Sequence, residues 1–395
     1  MHATPGAQAL AKEPTRVKVL HFNGETILRL SAQIEVSYEV VHPVRAIFDP
    51  NEHALAKMVG GRPILLAIDT KVFALYGDQI RLYARKHLHS VGEVLIEATE
   101  QAKAWNSVER VLGAAFQQSL PRNGVIAAVG GGVTLDIAGT AASLYRRGVG
   151  CVRIPTTLIG QVDAGVGIKQ GVNFAGKKNG LGTFYPPVGT INDPRFLQTL
   201  PQNSLACGMA EMIKIALVGD AHLFESIEEF CRELILSRFQ SPPDVARDVL
   251  LQSEYLMMDE LQPNLYEHEM CRLVDLGHTF SPVMETLSDY NLPHGEAVAS
   301  DMLLSTALAN LRGYCDEGLL YRLLRIYSEA GLRAPLWPAW QLVEGLRQAR
   351  LHRGGQLNLV VPVRPGKAIF LQDIDLPDLE EALKLLHRLR PEVAR

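Results

Sequence analysis

Cysteine is scarce in this sequence: only Cys151, Cys207, Cys231, Cys271 and Cys315 occur, with no CxxC pair among them. An odd, scattered set excludes a disulfide framework and a cysteine zinc site, and fits the reducing cytoplasm. Long uncharged apolar runs are also missing, since no stretch approaches the roughly 18 residues of a membrane span. Excess positive charge is absent too. With 39 Lys and Arg against 43 Asp and Glu the formal net charge is -4, leaving no basic face for nucleic acid. The opening MHATPGAQALAKEPT has no apolar h-region, so it reads as a loose tail and not as a secretion signal. There is no internal repeat or low-complexity tract. What remains is a globular protein whose partners are small molecules.

The 395 residues, 47% hydrophobic and 21% charged, suffice for two domains around large cores. From Val17 to Thr190 short apolar runs such as RPILLAIDT, NGVIAAVGGG and VGCVRIPTT alternate with helix-like stretches. That alternation predicts a parallel sheet covered by helices. After Asn192-Asp193-Pro194 the character changes. GMAEMIKIALV, ESIEEFCRELIL and GEAVASDMLLSTALANLRG carry apolar residues at helical spacing, and a short strand-like LNLVVPV returns near Leu357 to Val363. The expected organisation is a tail over 1–16, an α/β domain over 17–192 and a helical domain over 193–395.

GVIAAVGGGVTLD reads as a strand ending at Val129, a turn Gly130-Gly131-Gly132 and a helix from Val133. Glycines let a phosphate approach the backbone, where the free N–H groups and positive end of the helix stabilise its charge. The pattern is not GxGxxG, and three glycines after a strand also make an ordinary tight turn. Asp69 ends the strand before it, as a ribose contact or a helix cap. Thr156 and Thr157 close the strand VRIPTT, as nicotinamide-side hydroxyls or as turn residues. Glu100 and Lys103 stand at i,i+3, where an ion pair is the simpler reading.

Glu211 in GMAEMIK, His278 in LGHTFSP and His294 in LPHGEAV have the chemistry of a catalytic zinc site. Two imidazoles and one carboxylate leave a coordination position open for a substrate oxygen. Each alone reads more simply as a structural residue, but both histidines adjoin a glycine where a loop meets a helical run. Lys214 shares the helix face of Glu211. The segment DAGVGIKQGVNFAGKKNGLGTFYPP places Asp163, Lys169, Lys178 and Asn179 among glycines with almost no apolar periodicity. It reads either as a loop receiving a phosphorylated ligand or as a solvated flexible loop. Arg147 is a second phosphate contact or a cation on a helix C-terminus.

In order, the motifs GGGVTLD, IPTTLIGQVDAGVGIK, GKKNGLGTFYPP, AEMIK, GHTF and HGEAV closely resemble the dehydroquinate synthase-like family of sugar phosphate cyclases, over about residues 40 to 365. The resemblance implies an N-terminal NAD-binding α/β domain, a mainly helical C-terminal metal domain, a cleft active site and a homodimer. It makes Glu211, His278 and His294 ligands of zinc or cobalt. Asp69, Glu100, Lys103, Gly131, Gly132, Val133, Asp136, Thr156, Thr157, Lys169, Lys178 and Thr199 become NAD contacts or their neighbours. Asp163, Lys169, Asn179 and Lys214 would carry catalysis, and Arg147, Lys214, Leu261, Asp275 and His352 would border the substrate.

Departures from dehydroquinate synthase itself point to the substrate. Cys271 replaces the arginine that grips a substrate carboxylate, Asp275 replaces an asparagine, and Pro282 replaces a histidine in GHTFSP. A neutral cysteine cannot form the bidentate pair, and Asp275 is expected to repel a carboxylate. Leu261, Asp275, His352 and GHTFSP resemble the 2-epi-5-epi-valiolone synthases, which act on sedoheptulose 7-phosphate. Alternatives are a 2-epi-valiolone or desmethyl-4-deoxygadusol synthase on the same ketose phosphate, 3-dehydroquinate synthase, and an NAD- and metal-dependent polyol dehydrogenase.

Overall fold

The computed structural model describes residues 16–22, 25–32 and 34–393. Most of the expected tail lies outside the described residues. Two compact units divide the chain at Ser37 and Tyr38. In the first, β1 (Arg16–Phe22) and β2 (Glu25–Ser31) pair antiparallel as a hairpin. The stretch expected to open the α/β domain from Val17 thus includes this hairpin, whose two strands pair with each other.

In the second unit β3 (Glu39–Val41), β4 (Ile64–Asp69), β5 (Val91–Ile96), β6 (Val125–Gly130), β7 (Gly150–Pro155) and β10 (Gly189–Ile191) form a six-stranded sheet. Every pairing in it is parallel, in the order β3-β10-β7-β6-β4-β5. The strands read as unbroken apolar runs because both faces are covered. Alternate residues serve opposite cores. Ile64, Leu66 and Ile68 pack with α1 (Ala54–Val59) and α2 (Thr70–His87). Leu65, Ala67, Ile126 and Ala128 pack with α3 (Trp105–Gln117) and α4 (Gly132–Leu144).

The chain runs from β4 outward to β5, then crosses back to β6 on the other side of β4. That reversal opens a crevice at the carboxyl ends of β4 and β6, the usual ligand position in such sheets. The Gly130-Gly131-Gly132 turn lies there. Beyond β7, one π-helical turn (Gly160–Ala164) leads into β8 (Lys169–Phe174) and β9 (Lys177–Phe184), an antiparallel pair. The cation-rich segment is thus mostly a hairpin and not a flexible loop. Its glycines hide the strand pattern: a Cβ on Gly182 would meet the Gly171 Cα at 3.0 Å.

The helical half comprises α5 (Gln202–Gly219), α6 (Ala221–Leu236), α7 (Pro243–Leu261), α8 (Ser281–Leu287), α9 (His294–Leu311), α10 (Glu317–Ala330), α11 (Ala339–His352) and α12 (Leu376–Val393). The strand-like return is β11 (Leu359–Arg364), paired antiparallel with β12 (Lys367–Leu371). α9 is buried from Gly295 to Ala309, and α5 from Met209 through Val218. A helix apolar all round belongs at the centre of a core, and these two carry the acid and one imidazole of the candidate metal site. Among the described residues no helix is long and apolar enough to cross a membrane.

Candidate metal and nucleotide site

Glu211 projects from the middle of α5 and is almost wholly buried. His294 is the first residue of α9, and the two helices come together because Gly295 lies against Cys207, one turn before Glu211. His278 sits in the bend before α8. Gly277, at φ +78°, sets that bend, and a Cβ there would meet the Val298 Cγ1 at 2.9 Å. Asp301 of α9 ties the bend down by accepting the backbone N–H of Phe280 (2.5 Å) and Ser281 (2.9 Å).

One donor atom from each of Glu211, His278 and His294 lies within 4.8 Å of the others. Nε2 of His294 and of His278 stand 3.3 and 3.9 Å from Glu211 Oε1. The outer nitrogens are engaged elsewhere. His278 Nδ1–H donates to the Leu276 carbonyl at 3.1 Å, and His294 Nδ1–H donates to Glu285 Oε1 at 2.6 Å. Both rings are thereby fixed with Nε2 free to ligate. Both Glu211 oxygens are buried without a well-formed hydrogen bond; Oε2 faces the Lys214 ammonium, while Oε1 faces only the two imidazole Nε2 atoms, an arrangement suited to a shared metal ion. The donor set, oriented imidazoles and open side fit a catalytic zinc or cobalt centre.

The electrostatics agree. Burial opposes charge on Glu211, but Lys214 and the two imidazoles hold its carboxyl well below the usual range. Burial and the nearby Lys214 push His278 down, leaving a neutral ligand. Burial alone would lower His294 as well, yet Glu285 and Glu211 raise it to about 9. Lys214 forms an ion pair with Glu211, and Glu211 and Asp163 outweigh its burial to keep it protonated. It is a cation donor here, not a base.

A cavity of about 640 Å³ is lined by His278, His294 and Lys214 and equally by Gly132, Val133 and Asp136 at the start of α4. Gly131 offers no side chain to cap α4, and a Cβ on Gly132 would meet nothing nearer than 3.6 Å. The first-turn amides are thus open to an anion. Gly131 is needed for a different reason: a Cβ there would meet the Thr157 Cγ2 at 2.8 Å.

Glu100, Lys103, Asp163, Lys169, Lys178, Asn179, Leu261 and Asp275 also line this cavity. Glu100 and Lys103 do not pair with each other. Lys103 joins Asp136 at 2.6 Å and donates to Asn179 Oδ1 at 2.7 Å, while Glu100 accepts from Asn173 at 2.8 Å. Lys178 forms an ion pair with Glu285, linking β9 to the residue that orients His294.

Several expected residues fall outside the lining. Asp69 accepts the Lys71 N–H at 2.8 Å and so caps α2. Thr157 accepts the Gly160 N–H at 3.1 Å, and the Thr156 N–H bonds the Gly130 carbonyl, both closing turns. Thr199 bonds the Tyr76 hydroxyl at 2.9 Å. Arg147 lies beyond the C-terminal end of α4, a helix length from the glycine turn. His352 ends α11 facing solvent, whereas its neighbour Arg353 is buried and reaches Asp275 at 3.4 Å. One step along a helix turns a side chain by about 100°, which sequence spacing did not resolve.

Asp275 corrects a further expectation. Arg272 and Arg353 both pair with it, so it is no isolated negative charge. Three residues were missed at sequence level: Glu285, Glu267 and Arg272. The last two line the cavity and form an ion pair, and Lys169 joins Glu267 at 2.7 Å. Their only sequence signal is position, within a dozen residues of His278.

Comparison with known proteins places this geometry. Residues 93–207 match the family model for the 3-dehydroquinate synthase N-terminal domain, and residues 208–350 match its C-terminal counterpart. The 2-epi-5-epi-valiolone synthase of Streptomyces glaucescens is 44% identical over 87% of this chain and 89% of its own. Demethyl-4-deoxygadusol synthase of Trichormus variabilis is 34% identical over 91% and 90%. The structure of ValA, a 2-epi-5-epi-valiolone synthase of Streptomyces hygroscopicus subsp. jinggangensis with NAD+ and Zn2+ bound, superposes with TM-score 0.87 at 41% identity, covering 91% of this chain and 99% of that one. The chain is an enzyme and belongs to the dehydroquinate synthase-like family of sugar phosphate cyclases.

Proposed function

We propose that this chain is a 2-epi-5-epi-valiolone synthase, which closes sedoheptulose 7-phosphate into a carbocycle with loss of phosphate and so acts as a carbon-oxygen lyase. The carrying observation is that the Glu211, His278, His294 centre and the uncapped start of α4 share one cavity. The identity to valiolone synthases supports the choice of ketose. When bound, zinc polarises a substrate oxygen and NAD+ takes up and later returns a hydride, so no net oxidation remains.

The chain's own residues supply the rest. Glu211, His278 and His294 would hold the metal, and the first turn of α4 would receive the pyrophosphate. Lys214, kept protonated, stabilises negative charge on a substrate oxygen beside the metal site. Lys169 at the start of β8 and Asn179 on β9 position the phosphorylated end, and the charge of Asp163 helps to keep Lys214 protonated. The same reading makes the enzyme a cytoplasmic homodimer of C7-cyclitol biosynthesis. Five free cysteines support a reducing compartment.

The test is incubation of purified protein with sedoheptulose 7-phosphate, NAD+ and zinc, with product assignment by NMR. Phosphate release without a net change in nicotinamide absorbance is expected. Net NADH accumulation would identify a polyol dehydrogenase instead. A 2-epi-valiolone or 4-deoxygadusol product would reassign the stereochemical outcome.

A further inference from the structure

The sequence argument against a carboxylated substrate rests on an arginine lost at Cys271. The structure shows Cys271 exposed and outside the cavity, while the adjacent Arg272 lines it. A guanidinium is therefore present after all. It is not free. One terminal nitrogen pairs with Glu267 and the other with Asp275. Glu267 is itself buried and also takes Lys169, and Asp275 also takes Arg353. Three cations thus share two carboxylates, with Arg272 at the centre and its Nε–H buried without an acceptor. A guanidinium recognises a carboxylate through two parallel N–H donors, and here the terminal nitrogens are already committed to internal acids.

Resting on the function proposed above, we infer that Glu267 and Asp275 mask Arg272, and that this masking sets the enzyme's selectivity against ketose phosphates carrying a carboxylate at C1. Sedoheptulose 7-phosphate has a neutral hydroxymethyl group at C1 and asks for no bidentate cation. A C1 carboxylate would have to displace an internal acid from Arg272, leaving Glu267 with Lys169 alone or Asp275 with Arg353 alone. Specificity here comes from an occupied receptor and not from a missing one.

The experiment compares wild type, Asp275→Asn and Glu267→Gln/Asp275→Asn. For each, the ratio of kcat/KM for the 3-deoxy-heptulosonate 7-phosphate to that for sedoheptulose 7-phosphate is measured, and binding of both compounds is followed by calorimetry. The ratio and the relative affinity for the carboxylated compound should rise at least about tenfold in the double variant and by a smaller factor in Asp275→Asn. Adding Arg272→Gln should erase the gain. An unchanged ratio in folded Asp275→Asn and in the double variant overturns the inference. So does a gain that survives loss of Arg272, which would reduce the acids to simple repulsion. Binding does not require turnover, so a protein inactive on sedoheptulose 7-phosphate would refute the proposed function while leaving the masking measurable.

Discussion

Gly295 of α9 packs against Cys207 of α5 so closely that a Cβ would lie 2.7 Å from the Cys207 Cβ. This contact, one residue from His294 and one turn from Glu211, fixes how near the imidazole and the carboxylate come. Gly295→Ala should force the helices apart and cost about 1–3 kcal/mol. Zinc content after dialysis should fall along with the melting temperature. Full zinc occupancy in the variant would show that the crossing does not set the metal geometry.

Glu285 holds the outer nitrogen of His294 at 2.6 Å and pairs with Lys178. Replacing it with glutamine keeps the shape but weakens the acceptor. Zinc affinity, measured by competition with a chromophoric chelator, should drop about 10–100-fold.

Metal binding should depend steeply on pH. Glu285 and Glu211 lift His294 to about 9 against the opposing effect of burial, so zinc must displace a proton below that value. Affinity should improve up to about tenfold per pH unit as pH 9 is approached and then level off. For metal-free protein the sign reverses. The stability that His294 lends is complete below its ordinary value of 6.5 and is lost as pH rises through about 9. Glu285, held to about 2 by His294 and Lys178 despite burial, lends stability above 4.5 that is lost as pH falls toward 2. Chemical denaturation of chelator-treated protein across this range checks both limbs.

Asp301→Ala would leave the buried N–H groups of Phe280 and Ser281 without an acceptor and release the bend carrying His278. At about 1–3 kcal/mol for each of the two orphaned groups, the loss should be about 2–6 kcal/mol by urea unfolding. Metal affinity should fall with it, since His278 would lose its fixed approach.

The parallel sheet was legible in runs such as ILLAID and VIAAVG, because a strand covered on both faces writes itself as unbroken apolar sequence. The clustering of Glu211, His278 and His294 was legible from residue chemistry joined to family motifs. What sequence hid depends on side-chain direction. Arg353 and not His352 turns inward, whereas the cap at Asp69 and the turns at Thr156 and Thr157 were among the readings the sequence offered. Glu267 and Arg272 belong to a segment whose shape no periodicity announces, with Glu267 itself at φ +53°. The β8–β9 hairpin was hidden for the opposite reason, since its glycines allow close strand pairing without leaving an alternating apolar pattern.

That hairpin also governs how the enzyme is braced. Lys169 is fastened to Glu267 and Lys178 to Glu285, so acids beyond α7 clasp both ends of an element inserted after the sheet's fifth strand in sequence. Each ammonium carries three donors, so either lysine can meet an anion in the cavity while it still holds its acid. The hairpin that lines the cavity is thus moored to the helical half by the same two side chains that face the cavity, so losing either lysine would remove a strut as well as a positive charge.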